Sequence, residues 1–240
     1  MDERKVGVVI PCYRDVNLLA RLIPSIELQS YKNIEIIISN SGSDLESIDI
    51  TNKNQNVTVV ESPPMGPGAA RNLGAKNSSA GWLLFLDADI RIDDSDFIKK
   101  LVDTSTTKGW HTATAKHKVW HGNFMAKVSA SVWYSYFILL AHTKRPAAFG
   151  ECILTSRNTF NRLGGFSEKV KFGEDFDYTA RAVPWKFGIV SSTYYYIDPR
   201  RGNEEGIWLY IKGGVNEIYR QFHGGRVPKD IFKHKYGNHK

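Results

Sequence analysis

Trp82-Leu83-Leu84-Phe85-Leu86 runs straight into Asp87-Ala88-Asp89. Large apolar residues in an unbroken row read as a strand covered on both faces, the kind found inside parallel sheets. The row ends where two carboxylates begin, one residue apart. Open α/β sheets bind ligands in the crevice outside the carboxyl ends of their strands. Asp87 and Asp89 are therefore expected at the rim of a cleft. Hard divalent cations take oxygen ligands, and Mg²⁺ commonly uses one or two carboxylates plus substrate phosphates. The pair is a candidate metal–diphosphate site. Taken alone, the pattern is better described as a strand end followed by a polar turn, with Asp89 to Asp96 a solvated acidic loop, because acidic turns are common.

The chain before this run alternates strand and helix. Val6 to Ile10 is a short β-branched strand, followed by the polar loop Pro11-Cys12-Tyr13-Arg14-Asp15. Leu18, Leu19, Leu22, Ile23 and Ile26 then recur at helical spacing, with Asp15 as a candidate cap. Ile34 to Ile38 is a second strand, leading into the turn-rich Asn40-Ser41-Gly42-Ser43-Asp44, and Val57 to Val60 is a third. Pro63 to Gly68 precedes a helix over Ala69 to Ala75, and a helix start behind a glycine-bearing loop is a natural anion site. Neither a dinucleotide G-x-G-x-x-G nor a phosphate loop with Gly-Lys-Ser/Thr is present. Four strand ends carrying polar loops make a doubly wound α/β pattern.

The later residues are more mixed. A helix is expected over Asp93 to Val102, strands over Thr112 to Val119, Phe149 to Leu154 and Ile189 to Ile197, and a helix over Thr159 to Leu163 stopped by Gly164-Gly165. Val128 to Leu140 is aromatic and apolar. It is expected to be a core helix rather than an interfacial one, because most such segments are buried. Glu174 and Asp175 open another helix carrying Tyr178 and Arg181. From Arg200 the chain is basic and aromatic, with Trp208, Tyr210, Tyr219, Arg220, His223 and Arg226.

Two hundred and forty residues, 42% of them hydrophobic, suffice for one large domain with a real core. The expected division is a domain over 1–199, with a nucleotide half to about 92 and an acceptor half beyond it, and an extension over 200–240. A formal charge of +7 favours anionic partners, although part of it is ordinary solubility charge. No recognisable module supports a nucleic-acid role. Cys12 and Cys152 read as buried thiols of a reducing compartment, not a disulfide. The charged start has no apolar signal segment, and no apolar run reaches the roughly 18 residues of a spanning helix. A cytoplasmic location follows as an expectation, with a peripheral position on a membrane as an extension of it.

Five stretches in order resemble the inverting nucleotide-sugar glycosyltransferases of family 2. They are VVIPCYRD at Val8 to Asp15, NSGSD at Asn40 to Asp44, GPGAARNLGAKNSSAGWLLFLDAD at Gly66 to Asp89, LTSRNTFNRLGGF at Leu154 to Phe166 and GEDFDYTAR at Gly173 to Arg181. The resemblance covers Val6 to Arg181 and implies a GT-A fold: a Rossmann-like, mostly parallel sheet flanked by helices, with a mixed acceptor-side half.

The resemblance also implies roles. Pro11 and Tyr13 would line the nucleoside pocket, the loop at Asn40 would meet the base edge, and Arg71 would approach the nucleotide unless it is a surface arginine. Asp87-Ala88-Asp89 would be the family's Asp-x-Asp. Asp87 would reach ribose or metal, and Asp89 would ligate Mn²⁺ or Mg²⁺ on the diphosphate. Asp175 would be the general base on the acceptor hydroxyl, with Glu174 its neighbour or a helix cap.

The family usually has an acidic residue where Asn40 and Ser41 stand, so the nucleotide, UDP- or GDP-linked, stays open. An amide both donates and accepts, so Asn40 suits either base edge. His223 with Arg220 and Arg226 is a candidate for the diphosphate or metal. The acceptor is expected to be a glycan or a lipid-linked saccharide. The alternatives are a silent nucleotide-sugar or carbohydrate binding module and a nucleotidyltransferase; the latter is disfavoured by Pro11 to Asp15 standing where its phosphate loop belongs.

Overall fold

The apolar rows become the middle of one sheet. In the computed structural model the residues described are 4–13, 16–42, 56–122, 124–170, 172–182, 186–198 and 207–226. Their strands are β1 (Val6–Cys12), β2 (Ile34–Asn40), β3 (Val57–Glu61), β4 (Trp82–Leu86), β5 (Thr112–Val119), β6 (Cys152–Ser156) and β7 (Phe187–Ile197). The helices are α1 (Val16–Glu27), α2 (Pro67–Lys76), α3 (Phe97–Lys108), α4 (Phe124–Ala141), α5 (Arg157–Leu163), α6 (Glu174–Arg181) and α7 (Ile207–Phe222).

The sheet order is β3-β2-β1-β4-β6-β5-β7. β1, β2, β3 and β4 are mutually parallel. β6 is inserted antiparallel between β4 and β5, and β7 returns parallel to β5. Val8, Val9, Ile10, Leu83, Leu84, Phe85 and Leu86 are wholly buried, as strands covered on both faces require. On one side α1 buries Leu19, Leu22, Ile23 and Ile26. On the other α2 lies close to β1 through Gly74, where a Cβ would come within 2.4 Å of Val9 Cγ1.

Several expectations change. Helix α3 starts at Phe97, not Asp93, because the preceding residues are held elsewhere. Arg91 exchanges backbone hydrogen bonds with Tyr196, while Asp94 accepts from the Asp96 N–H, Lys100 and Thr193. The strand expected from Phe149 begins at Cys152, and Asp15, the candidate cap of α1, lies outside the described residues. Both cysteines are buried, and they form no disulfide.

The largest correction concerns α4. Of its side chains only Ala126, Phe137 and Leu140 are buried, whereas Phe124, Met125, Val132 and Leu139 face outward. With 18 residues and a mean hydropathy of 1.3, it is long and apolar enough by length and composition to cross a membrane, contrary to the sequence expectation. Of its aromatic row only Phe137 is fully buried, against Phe149 and Phe176, with Trp133 and Tyr136 half-buried against the same cluster.

Helix α7 is inverted in the same sense. It buries Glu217 and Arg220, whose guanidinium is held by Glu217 and by the carbonyls of Arg145, Pro146 and Gly225. It turns Ile211, Val215, Ile218 and Phe222 outward. Among the described residues, every large exposed hydrophobic side chain except Leu28 lies on α4 or α7.

Candidate active site

Parallel pairing brings the strand ends into line. Cys12 of β1 sits opposite Asn40 of β2, which sits opposite Glu61 of β3. β4 runs beside β1 and delivers Asp87 to the same edge. Pro11 and Tyr13 are half-buried at the end of β1, and Ala88 is buried between the half-buried Asp87 and Asp89. Arg14, Asp15, Ser43 and Asp44 lie outside the described residues.

Arg71 is the hinge of the site. It projects from the second turn of α2, is 2% exposed, and donates from Nη2 to Asp87 Oδ1 and from Nη1 to Glu174 Oε1, each at 2.7 Å. The surface-arginine alternative is thereby excluded, and so is a simple cap at Glu174, whose carboxylate is buried in this bridge. The two charges hold the guanidinium protonated well beyond its ordinary range, against the cost of burial. Arg71 Nε is buried without a partner among the described residues. The ring of Phe166 lies below the guanidinium at 5.4 Å. Gly150 also lies against it: a Cβ there would fall 2.5 Å from Arg71 Nη2.

Helix α6 carries the second acidic motif. It starts behind Gly173, whose φ of 88° favours glycine, and places Glu174, Asp175 and Asp177 in its first turn, where unpaired N–H groups favour negative charge. Asp175 Oδ2 accepts from the Gly150 N–H at 2.7 Å and Oδ1 from the Phe176 N–H at 2.8 Å. Burial pushes Asp175 above the usual carboxylate range; the Arg71 charge and these two N–H groups oppose that shift. Burial, with Asp175 alongside, pushes Glu174 up to about 7 against the pull of Arg71. A raised carboxylate is a stronger base, which is what proton removal from a hydroxyl requires.

Two residues were not foreseen. Glu151 immediately precedes β6. Because Leu86 pairs with Cys152, the next step brings Glu151 beside Asp87, whose N–H donates to the Glu151 carbonyl at 3.2 Å. Burial, and then the neighbouring Asp89, Asp87 and Asp175, raise its carboxyl well above normal, while Tyr195 donates to it at 3.4 Å. Only the antiparallel insertion of β6 makes this neighbour, and no local pattern announces it.

Glu61 is the other. Asn40, 1% exposed, donates through Nδ2 to both carboxylate oxygens of Glu61, at 3.0 and 2.8 Å. A carboxylate from the end of β3 thus stands against Asn40 at the end of β2. Its sequence signal was weak: a lone glutamate closing a five-residue strand.

The C-terminal candidates go elsewhere. Arg220 is buried among its own partners, Arg226 pairs with Asp177 at 2.6 Å, and His223 Nδ1 bonds the Tyr219 carbonyl on its own helix.

The chain is similar to known proteins in sequence and in fold. Residues 7–163 match the family described as Glycosyl transferase family 2. An uncharacterized glycosyltransferase of Rickettsia conorii is 27% identical over 185 residues, which is 73% of this chain and 29% of that protein. Among solved structures, S. aureus TarS 1-349 in complex with UDP superposes with a TM-score of 0.65 at 20% identity, covering 81% of this chain and 60% of that one. The mannosyltransferase PcManGT from Pyrobaculum calidifontis, in complex with GDP-Man and Mn²⁺, gives 0.63 at 19% identity, covering 80% and 56%. The chain thus spans under a third of the Rickettsia relative and somewhat over half of each of these solved chains.

Proposed function

This chain belongs to glycosyl transferase family 2 and has the GT-A fold; from that premise we propose that it moves a sugar from a nucleoside-diphosphate donor to an acceptor hydroxyl with inversion at the anomeric carbon. One observation carries the reading. The strand-end acid Asp87 and the helix-start acid Glu174, far apart in sequence, meet at one buried cation, Arg71, with Asp175 next in the chain. A metal-assisted transferase needs carboxylates that hold a cation at the diphosphate and a carboxylate base at the acceptor, in fixed relation, and orientation alone can supply several kcal/mol.

In this reading Asp175 removes the acceptor proton. The Gly150 and Phe176 N–H groups fix its carboxylate, and its raised basicity suits the task. Attack from the face opposite the leaving diphosphate inverts the anomeric carbon. Arg71 keeps Asp87 and Glu174 from repelling one another. Pro11, Tyr13, Asn40 and Glu61 line the nucleoside side.

Asp89 and Asp87 suit a divalent cation: both are oxygen donors, half-buried at the cleft rim. Among the described residues no group of three or more His, Cys, Asp or Glu could hold a metal ion by itself, so a cation here would draw further ligands from substrate phosphates. When bound, Mn²⁺ or Mg²⁺ offsets the charge of the departing diphosphate. The Mn²⁺ and GDP-Man of the Pyrobaculum relative and the UDP of TarS support this donor class.

The reading includes a peripheral position on the cytoplasmic face of a membrane and a glycan or lipid-linked acceptor. The outward apolar side chains of α4 and α7 support it, since an interfacial helix buries such a face at the headgroups. Flotation with phosphatidylglycerol liposomes tests the membrane part; protein left at the bottom at low salt refutes it.

For the chemistry, a panel of UDP-, GDP-, dTDP-, CDP- and ADP-sugars with Mn²⁺ or Mg²⁺ is followed by nucleoside diphosphate release. Release from one donor, abolished by EDTA and in Asp89→Ala and Asp175→Asn, is the expected result. Neither release nor metal-dependent binding of any donor overturns the reading.

A further inference from the structure

Beyond the start of β6, the last two strands run on without it. β5 leaves its pairing with β6 and continues as Lys116–Val119, joined after a register shift to Tyr194–Ile197 of β7. Arg91, two residues after Asp89, adds a third row through its bridge to Tyr196. The result is a wing rising past the edge that carries Asp87 and Asp89.

The two faces of the wing differ. His117 and Tyr195 are buried, and Tyr195 turns its hydroxyl toward Glu151 in the site. Alternation sends their neighbours Lys116, Lys118, Tyr194 and Tyr196 the other way. There the rings form a continuous row, with Trp120 5.0 Å from Tyr196 and Tyr196 5.3 Å from Tyr194. Cations lie over it: the Arg91 guanidinium 3.7 Å above Trp120 and the Lys118 ammonium 3.3 Å above Tyr194. The Lys116 ammonium lies 5.1 Å from the Tyr134 ring on α4. All of these side chains are half-buried. Arg91 is paired with Asp93, but Lys116 and Lys118 have no ion pair among the described residues.

This composition is poorly suited to core and to plain solvent. Core aromatics would be fully covered, and lysines serving solubility alone would hold their heads in water instead of over rings. Aromatic edges and faces suit the C–H surfaces of sugar rings. Fixed ammonium groups, partly stripped of water by the rings and not neutralised, suit an anion. A neutral glycan would satisfy the rings and leave both lysines uncompensated. Resting on the transferase reading for the word acceptor, we propose that this face docks the acceptor, and that the acceptor is a glycan chain bearing anionic groups such as phosphate or carboxylate.

The test measures docking without donor or metal, so it does not depend on turnover. Affinity electrophoresis compares gels holding dextran sulfate with gels holding uncharged dextran. The variants are Lys116→Gln/Lys118→Gln, Trp120→Ala, and a charge-matched control, Lys76→Gln/Lys108→Gln, at the opposite end of the sheet; thermal melts confirm that each is folded.

Dextran sulfate is expected to retard the wild type, with binding weakened about tenfold in the wing lysine pair, more than any effect of the control pair. Trp120→Ala, which changes no charge, is expected to weaken it severalfold. Equal loss in control and wing pairs, or no retardation of the wild type beyond that in plain dextran, overturns the proposal. If the wing lysine pair alone also loses phosphatidylglycerol vesicles while keeping dextran sulfate, the surface is a lipid site and the proposal falls. Docking that holds while no donor is turned over or bound keeps the anionic-glycan face and removes only the transferase.

Discussion

Arg71 stands between Asp87 and Glu174 at 2.7 Å from each, and it is the residue through which the two acidic motifs of this chain are one site. Removing one partner of a buried ion pair leaves the other charge uncompensated, at about 3–5 kcal/mol. Arg71→Ala is therefore expected to lose stability of that order in urea unfolding. Gly150→Ala pushes a methyl into the same guanidinium and is expected to cost about 1–3 kcal/mol. A neutral result for both refutes the bridge.

Asp175→Asn keeps the shape of the side chain and removes its basicity. Transfer to an acceptor should fall roughly 100- to 10,000-fold while binding of the nucleoside diphosphate, by calorimetry, stays near wild type. Loss of binding with the same severity would make Asp175 a donor ligand instead of a base.

Glu151 sets a pH signature. Its carboxyl is raised in the folded protein by burial and by Asp89, Asp87 and Asp175. A raised group holds its proton more tightly when folded, so its favourable contribution is intact below the unfolded value of 4.5 and is lost as pH rises through the folded value. Glu151→Gln is neutral throughout. The variant should match wild type near pH 4 and become progressively the more stable of the two at higher pH. Paired thermal melts from pH 4 to 8 check this, and a difference that shrinks with rising pH contradicts it.

Base choice should follow Glu61. Its carboxylate, held by Asn40, accepts hydrogen bonds and donates none. Uracil, thymine and guanine offer a ring N–H at the pairing edge; cytosine and adenine offer an acceptor there. UDP or GDP is expected to bind at least about tenfold more tightly than CDP and ADP, and Glu61→Gln should narrow that gap. Unchanged discrimination in the variant would place the base elsewhere.

The sequence by itself determined the local part of this protein. Strand rows, helix faces and the carboxylates at strand and helix ends follow from periodicity, because buried strands and amphipathic helices each impose a spacing on their apolar residues. Thus Val6 to Leu86 was legible nearly element by element, and so were Asp87, Asp89 and Asp175.

Tertiary structure decided what meets what. β6 runs antiparallel between β4 and β5, which brings Glu151 to Asp87. β3 ends level with β2, which brings Glu61 to Asn40. The burial of Arg71 comes from α2 lying under Gly150. The same holds for α4, where most large apolar side chains face outward, and for α7, where Ile211, Val215, Ile218 and Phe222 face outward while Glu217 and Arg220 face in. Composition reports how much apolar surface a segment has; only packing against partners distant in the chain decides which side of it is covered, since burial is a property of the neighbours a residue acquires.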